Sequence, residues 1–535
     1  MRATASTQRH SHIFMTDSPA EIQRPHLTLR RCFWLCLPAL ILGAILRFSY
    51  LAAVPEVFYG SDSNSYFVTA REAYTRHHFD LPAKRRFVYP LLLLLAPPVP
   101  FCTTAQVVAV VQHLAGLAMI FGVGWIAGHF VRRPNIWVPI IAFLPAIWPR
   151  MLYYEHEMIC ETLLLGVFIA AVAVAAPREA LANDRRLIWF CMLALLIIAV
   201  KPAGRPIWFG LLVAAALITR RPFRWPKLCY ATVPAAILFT LTSGSDSQGP
   251  WLFLSSTLPI VRAEGEPYAA ERALLKPAIE SARQDLPNYA FHQGPYKKML
   301  GNSREDNALG EDYIKLVSDR KRFATVAQAL AREAVIEHPF QYFVMVCKKI
   351  VSAVGDQHVQ ARLEPKRFWR EQGESSRGRW EERPQEMRLI YEMDEPAYNA
   401  FVAQRAERTL WFAKYTKDFD RLKWIDTKVG ERGTSPRIHI QIMGWLALLG
   451  FAAALLPGRF TRSTLLLLPL FLYLFIIYAI GDTVTRYIHP VEWIGFILIA
   501  IGLDTVLDGL VSLYRRLRPA PVREASADSA APAAC

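Results

Sequence analysis

Apolar residues fall in long runs that short polar stretches interrupt. Crossing a bilayer as helix takes about 20 such residues. Ten runs approach or reach that length, at 32–53, 104–128, 135–150, 157–176, 186–202, 206–220, 227–243, 437–457, 462–480 and 488–511. The third, fifth and sixth are short, which suits kinked helices. Between 244 and 436 the pattern changes to mixed charge with no convincing span. Within it, 332–354 has helical apolar spacing but carries Lys348 and Lys349, as a soluble or interfacial amphipathic helix does. A second such stretch, 408–425, sets Trp411, Phe412, Tyr415, Phe419 and Trp424 among charges. Both are expected to pack into a small domain over the membrane. The pattern predicts an all-α polytopic membrane protein with about ten transmembrane helices and a mostly helical extracytoplasmic segment.

Charge orients these spans. Arg30/Arg31, Arg132/Arg133, Arg185/Arg186, Arg220/Arg221/Arg224/Lys227, Arg459/Arg462 and Arg515/Arg516/Arg518 all fall on one side. An excess of Lys and Arg in short loops marks the cytoplasmic side. The expected organisation is a cytoplasmic tail 1–31, a transmembrane module 32–243 with a first outer loop 54–103, an extracytoplasmic segment 244–436, transmembrane helices 437–511 and a cytoplasmic tail 512–535. That last tail is Ala/Pro/Ser-rich from 519 and expected to be disordered. The N-terminus has no early apolar run and no small-residue cleavage site, so 32–53 reads as a retained first span. No internal repeat is evident.

Composition changes this picture little. The chain has 535 residues, is 53% hydrophobic and carries a formal net charge of +16. In a soluble protein such a charge suggests nucleic acid. Here the cytoplasmic loops account for much of it, and the partner expected is the lipid bilayer, with no nucleic acid. Eight cysteines are scattered, mostly in apolar runs, with no metal-ligand spacing and no disulfide framework.

Candidate chemistry collects on the outer side. In loop 54–103, Asp62 precedes SNSYFVTAREAY, where it either caps a helix or does chemistry. The same loop holds Lys84, Arg85 and Arg86, against the charge bias. A basic triplet there suits an anionic ligand or anionic lipid headgroups. The loop after the third span reads Tyr153-Tyr154-Glu155-His156-Glu157, with Glu161 one turn on. Glu155, His156 and Glu157 supply oxygen and nitrogen ligands for a divalent cation, Mg or Mn; the alternative is a solvated loop with Glu161 capping the fourth span. Lys201 and Arg205 lie in VKPAGRPIW, where two prolines and a glycine break the helix. Asp482, Arg486, Tyr487, His489 and Glu492 open the last span, and Arg47 stands near the outer end of the first, where a lone Arg usually snorkels. Carboxylates and cations from four loops on one membrane face are costly unless solvated, paired or ligated.

In this order the motifs resemble the GT-C superfamily of polytopic glycosyltransferases, among them protein O-mannosyltransferases and the aminoarabinose transferases that modify lipid A. The features that match are Asp62…Tyr66…Ala70 after the first span and Arg85-Arg86-Phe87-Val88-Tyr89-Pro90-Leu91-Leu92. Glu161-Thr162-Leu163, the Lys-Pro break and Arg486-Tyr487-Ile488-His489-Pro490 follow in order. The resemblance covers 32–240 and 437–511. Many relatives carry Asp-Glu where this chain has Asp62-Ser63.

The resemblance implies a membrane glycosyltransferase, hexosyl- or pentosyl-. It would move a sugar from a polyprenyl-phosphate donor to an extracytoplasmic acceptor (envelope glycan, lipid or protein) by an inverting displacement. It implies Asp62 as general base, with Glu155 or Glu157 orienting the acceptor or holding the cation. Lys84, Arg85, Arg86, Tyr89, Lys201, Arg205, Arg486 and Tyr487 would bind the donor. The implied location is a bacterial inner or plasma membrane, with the site facing outward. Two other classes fit the sequence: a transporter or flippase of lipid-linked or small solutes, and a non-catalytic envelope-assembly subunit. The first expects midplane charges and repeated halves. The second would use 244–436 as its binding surface.

Overall fold

The computed structural model describes residues 27–53, 57, 63, 66–67, 69–70, 73, 86–95, 104–177, 179–219, 232, 248–286, 300, 309–354, 396, 400, 437–480 and 487–517; at 53, 149, 248–249, 352–354 and 437–442 it describes the backbone alone. The expected span 227–243 and the stretch 408–425 lie outside these residues, Thr232 excepted.

The first helices are α1 (Leu29–Ala53), α2 (Val88–Leu94), α3 (Thr104–Phe130), α4 (Pro134–Ile147), α5 (Pro149–Glu155), α6 (Glu161–Ala175), α7 (Asp184–Val200) and α8 (Arg205–Thr219). The segment between the two apolar parts of the chain supplies α9 (Gln248–Thr257), α10 (Ala269–Gln284), α11 (Glu311–Ser318), α12 (Arg320–Glu337) and α13 (Pro339–Val354). The chain closes with α14 (Arg437–Ala454), α15 (Phe460–Ile480) and α16 (His489–Leu517).

Among the described residues, five helices are long and apolar enough to cross a membrane: α1, α3, α8 with the turn before it, α15 and α16. α4, α6 and the 443–454 part of α14 are apolar but shorter. The expectation of about ten crossings is therefore met by five on length and composition.

Proline sets most of the boundaries. The third expected span, 135–150, ends early at Ile147: Trp148 is extended (φ −70, ψ 114) and Pro149 opens a separate short helix. After α7 the chain goes extended at Lys201 (φ −150, ψ 133), makes one 3-10 turn over Pro202–Gly204 and restarts as α8. The single amphipathic helix expected over 332–354 is two, because Pro339 has no N–H to continue α12 and restricts His338 before it. Side-chain caps start α7, where Asn183 accepts from the N–H groups of Arg185 and Arg186, and α12, where Asp319 accepts from that of Arg322.

α3 packs against α1, α4 and α6; α6 packs on α7, α8 on α15 and α14 on α16. The last crossing is backbone to backbone: a Cβ on Gly450 would fall 1.7 Å from the Leu498 carbonyl oxygen. At one end of the bundle, buried Asp504 accepts from the Arg132 N–H (2.7 Å) and the Trp137 indole (3.0 Å), and Asp508 pairs with Arg132 and Arg133. Arg459 approaches the same two carboxylates, and Arg462 reaches the Ala176 carbonyl. Four of the arginines that oriented the spans, Arg132, Arg133, Arg459 and Arg462, thus gather at one end.

A separate apolar core joins Leu254, Leu258, Leu275, Ile279, Tyr313 and Leu330 of α9–α12 and the turn after α9 to Tyr478 and Ile488 of the bundle. Fully buried Arg272 ties this segment together. It donates to the carbonyls of Pro267 and Arg262 and pairs with Glu333 at 2.6 Å.

Candidate active site at the outer end of the bundle

Arg47, from the last turns of α1, points inward and does not snorkel. Its Nη2 lies 2.6 Å from Glu155 Oε1, and its Nη1 donates to the carbonyls of Gly43 and Ala146. Glu155 Oε2 is 3.1 Å from His113 Nδ1, and His113 Nε2 is 2.8 Å from His156 Nδ1. One tautomer satisfies the chain: His113 donates to the carboxylate and accepts from His156. Gln112 Nε2 donates to the carbonyls of both Glu155 and Glu157 at 2.9 Å, and Tyr89 donates to Gln112 Oε1 at 2.9 Å. Burial, then the neighbouring Cys160, Glu161 and Glu157, hold the Tyr89 phenol well above its ordinary pKa, so it stays a donor. Gly116 makes room for the carboxylate: a Cβ there would sit 2.2 Å from Glu155 Oε1.

Beside this relay lies a second polar group. The Tyr66 hydroxyl is 3.0 Å from Cys160 Sγ, which donates to Glu161 Oε2 at 3.6 Å. Glu161 Oε1 receives Lys201 Nζ at 2.6 Å, and the same ammonium stands 5.5 Å from the centre of the Tyr487 ring. Tyr66 and Tyr89 meet edge to face at 5.1 Å, joining the two groups. Arg86 is buried next to them. Burial, then the positive charge of Arg205, lowers its pKa, which places two guanidinium groups within each other's field. On the far side Arg150 pairs with Glu492 (3.2 Å), and His489 binds the same carboxylate (2.8 Å).

No protein-family model matches the chain, and no curated protein sequence matches it. Two solved structures align with it. One is ArnT from Cupriavidus metallidurans bound to undecaprenyl phosphate, 13% identical, covering 92% of this chain and 82% of that one with a TM-score of 0.30. The other is the same protein in the apo state, 14% identical, covering 91% and 81% with a TM-score of 0.31. Similarity at this level decides neither family nor substrate.

Of the expected site residues, Arg86, Tyr89, Glu155, His156, Glu157, Lys201, Arg205 and Tyr487 are described, and they lie toward one end of the bundle. Asp62, Lys84, Arg85 and Arg486 lie outside the described residues. Among the described residues no three His, Cys, Asp or Glu side chains gather as a metal site. Glu155 turns its oxygens to Arg47 and His113 instead, which neutralise and orient it inside the bundle.

Sequence reasoning missed Gln112 and His113. The signal was there, because two adjacent polar residues inside the apolar run 104–128 mark a functional or pairing position. It also took Cys160 as a small hydrophobe, where the structure bonds it to Tyr66 and Glu161.

Proposed function

We propose that the chain is a membrane glycosyltransferase that transfers a sugar from a polyprenyl-phosphate donor to an extracytoplasmic acceptor. The observation that carries this reading is the gathering of Arg86, Lys201 and Arg205 at one end of an apolar bundle, beside an aromatic ring and a carboxylate. Arg86 is buried within the field of Arg205, and a phosphate-sized anion would compensate both charges. A lipid-borne donor reaches that position from the bilayer.

In this mechanism Asp62 removes the proton from the acceptor hydroxyl or amine as it attacks the anomeric carbon. The bond to the phosphate oxygen breaks on the opposite face, so the anomeric centre inverts. The departing phosphate needs no proton if cations stabilise its charge, the role given to Arg86, Lys201 and Arg205 with Lys84, Arg85 and Arg486. Glu161 keeps Lys201 in place and charged. Tyr89 acts on the main chain: through Gln112 it holds the 155–157 turn against α3.

The test is turnover. Purified protein in lipid is given undecaprenyl-phosphate sugars, hexose and aminopentose in turn, with membrane extract as acceptor, and release of undecaprenyl phosphate is followed. Asp62→Asn keeps size and capping ability, and is expected to lower the rate by about 10²–10⁴. Movement of the intact lipid-linked sugar across the membrane, without cleavage, would replace this reading with the transporter.

A further inference from the structure

Three side chains of the extracytoplasmic segment reach the last three carbonyls of α15. Lys349 Nζ donates to Tyr478 O at 3.4 Å, the Tyr342 hydroxyl to Ala479 O, and Ser256 Oγ to Ile480 O at 3.4 Å. A helix leaves these carbonyls without partners of its own, and its dipole makes that end negative. Lys349 has no exposed surface. It lies on the inward stripe of α13 with Tyr342, Met345 and Val346, at spacings of three, four and seven residues from Tyr342. A lysine in an otherwise apolar stripe costs desolvation that Leu or Met would not. Packing does not require it. A carbonyl-rich helix end gives it a partner.

That helix end leads directly to the outer site. Seven residues after Ile480 comes Tyr487, whose ring packs against the extracytoplasmic core and receives the Lys201 ammonium. Ile488 is buried in the same core, as is Tyr478 on the other side of the connection. Both ends of the connection are therefore held by the extracytoplasmic segment, and one of them presents its aromatic ring to the cation that Glu161 binds. We infer that α9 and α13 act as a clamp on the C-terminus of α15, and that Lys349 is a positioning residue that fixes Tyr487 over Lys201 and so sets the anion site. The last step rests on the reading of that site as a phosphate site.

The experiment uses full-length protein in lipid nanodiscs. Wild type is compared with Lys349→Met, Lys349→Arg and the exposed control Lys321→Ala. Two quantities are read: amide hydrogen exchange over 487–495 and the dissociation constant for undecaprenyl phosphate as probe. Lys349→Met is expected to speed exchange and weaken the probe about tenfold, the effect of losing one charge-assisted contact. Lys349→Arg restores both, and Lys321→Ala changes neither. Unchanged exchange in Lys349→Met overturns the clamp. Faster exchange with unchanged affinity overturns its link to the anion site, and a defect that Arg fails to restore reduces Lys349 to packing. Should Lys349→Met not fold, Tyr342→Phe removes one hydroxyl from the same helix end and is read the same way, with a smaller shift. If wild type does not bind the probe at all, the phosphate reading falls, and hydrogen exchange alone decides the clamp.

Discussion

The Arg47 guanidinium and the Glu155 carboxylate meet at 2.6 Å with both side chains sealed from solvent. Breaking such a pair from one side leaves a buried charge uncompensated, at a cost of about 3–5 kcal/mol. Arg47→Met and Glu155→Gln are each expected to lower the melting temperature in detergent by many degrees. The Arg47→Met/Glu155→Gln double variant should recover much of the loss. A double variant as unstable as the sum of the singles would show that the two do not act as a pair.

Gly116 tests the same carboxylate from its other side. A methyl there would overlap Glu155 Oε1, so Gly116→Ala is expected to cost about 1–3 kcal/mol by displacing Glu155 from Arg47. Gly495→Ala, whose added Cβ meets nothing within 4 Å, should be neutral or stabilise by up to about 1 kcal/mol through helix propensity. Thermal denaturation of the two variants side by side checks the contrast.

The contact between α10 and α12 is expected to depend on pH. Arg322 hydrogen-bonds Glu271 at 2.6 Å and holds its carboxyl below its ordinary pKa, against the opposing effect of burial. A depressed folded-state pKa contributes stability above the unfolded value and loses it as pH falls through the folded one. Stability of α10 and α12 should therefore drop on acidification below the ordinary carboxylate range. Arg322 is largely exposed, so the contribution stays within about 1 kcal/mol. Hydrogen exchange of these helices against pH, in wild type and Glu271→Gln, measures it; the variant should show the shallower acid loss.

Metal removal is expected to leave the fold unchanged. The carboxylate that a cation would need at Glu155 already has Arg47 and His113. Melting curves with and without EDTA check this. A melting temperature that falls with EDTA and returns with Mg or Mn would put a structural cation in the protein.

Much of this molecule is legible one run at a time. Apolar length marks the long helices, because a backbone in lipid must satisfy its own hydrogen bonds. Pro202 marks the break after Lys201, a local backbone effect, and Pro339 carries the same signal for the split of 332–354 that the apolar spacing alone hid. The gathering of Arg132, Arg133, Arg459 and Arg462 at one end follows from the alternation of spans. What tertiary structure alone decided is partnership. Periodicity tells which face of α1 carries Arg47, but Glu155 is 108 positions away, and only the packing of α1 and α4 against α3 brings the two together. The same holds for Lys349, whose charge reads in sequence as the solvated side of an amphipathic helix. It is buried because the end of α15 lies beneath it, a helix that begins more than a hundred residues later. A low-dielectric interior makes each such charge depend on a partner that no local pattern names.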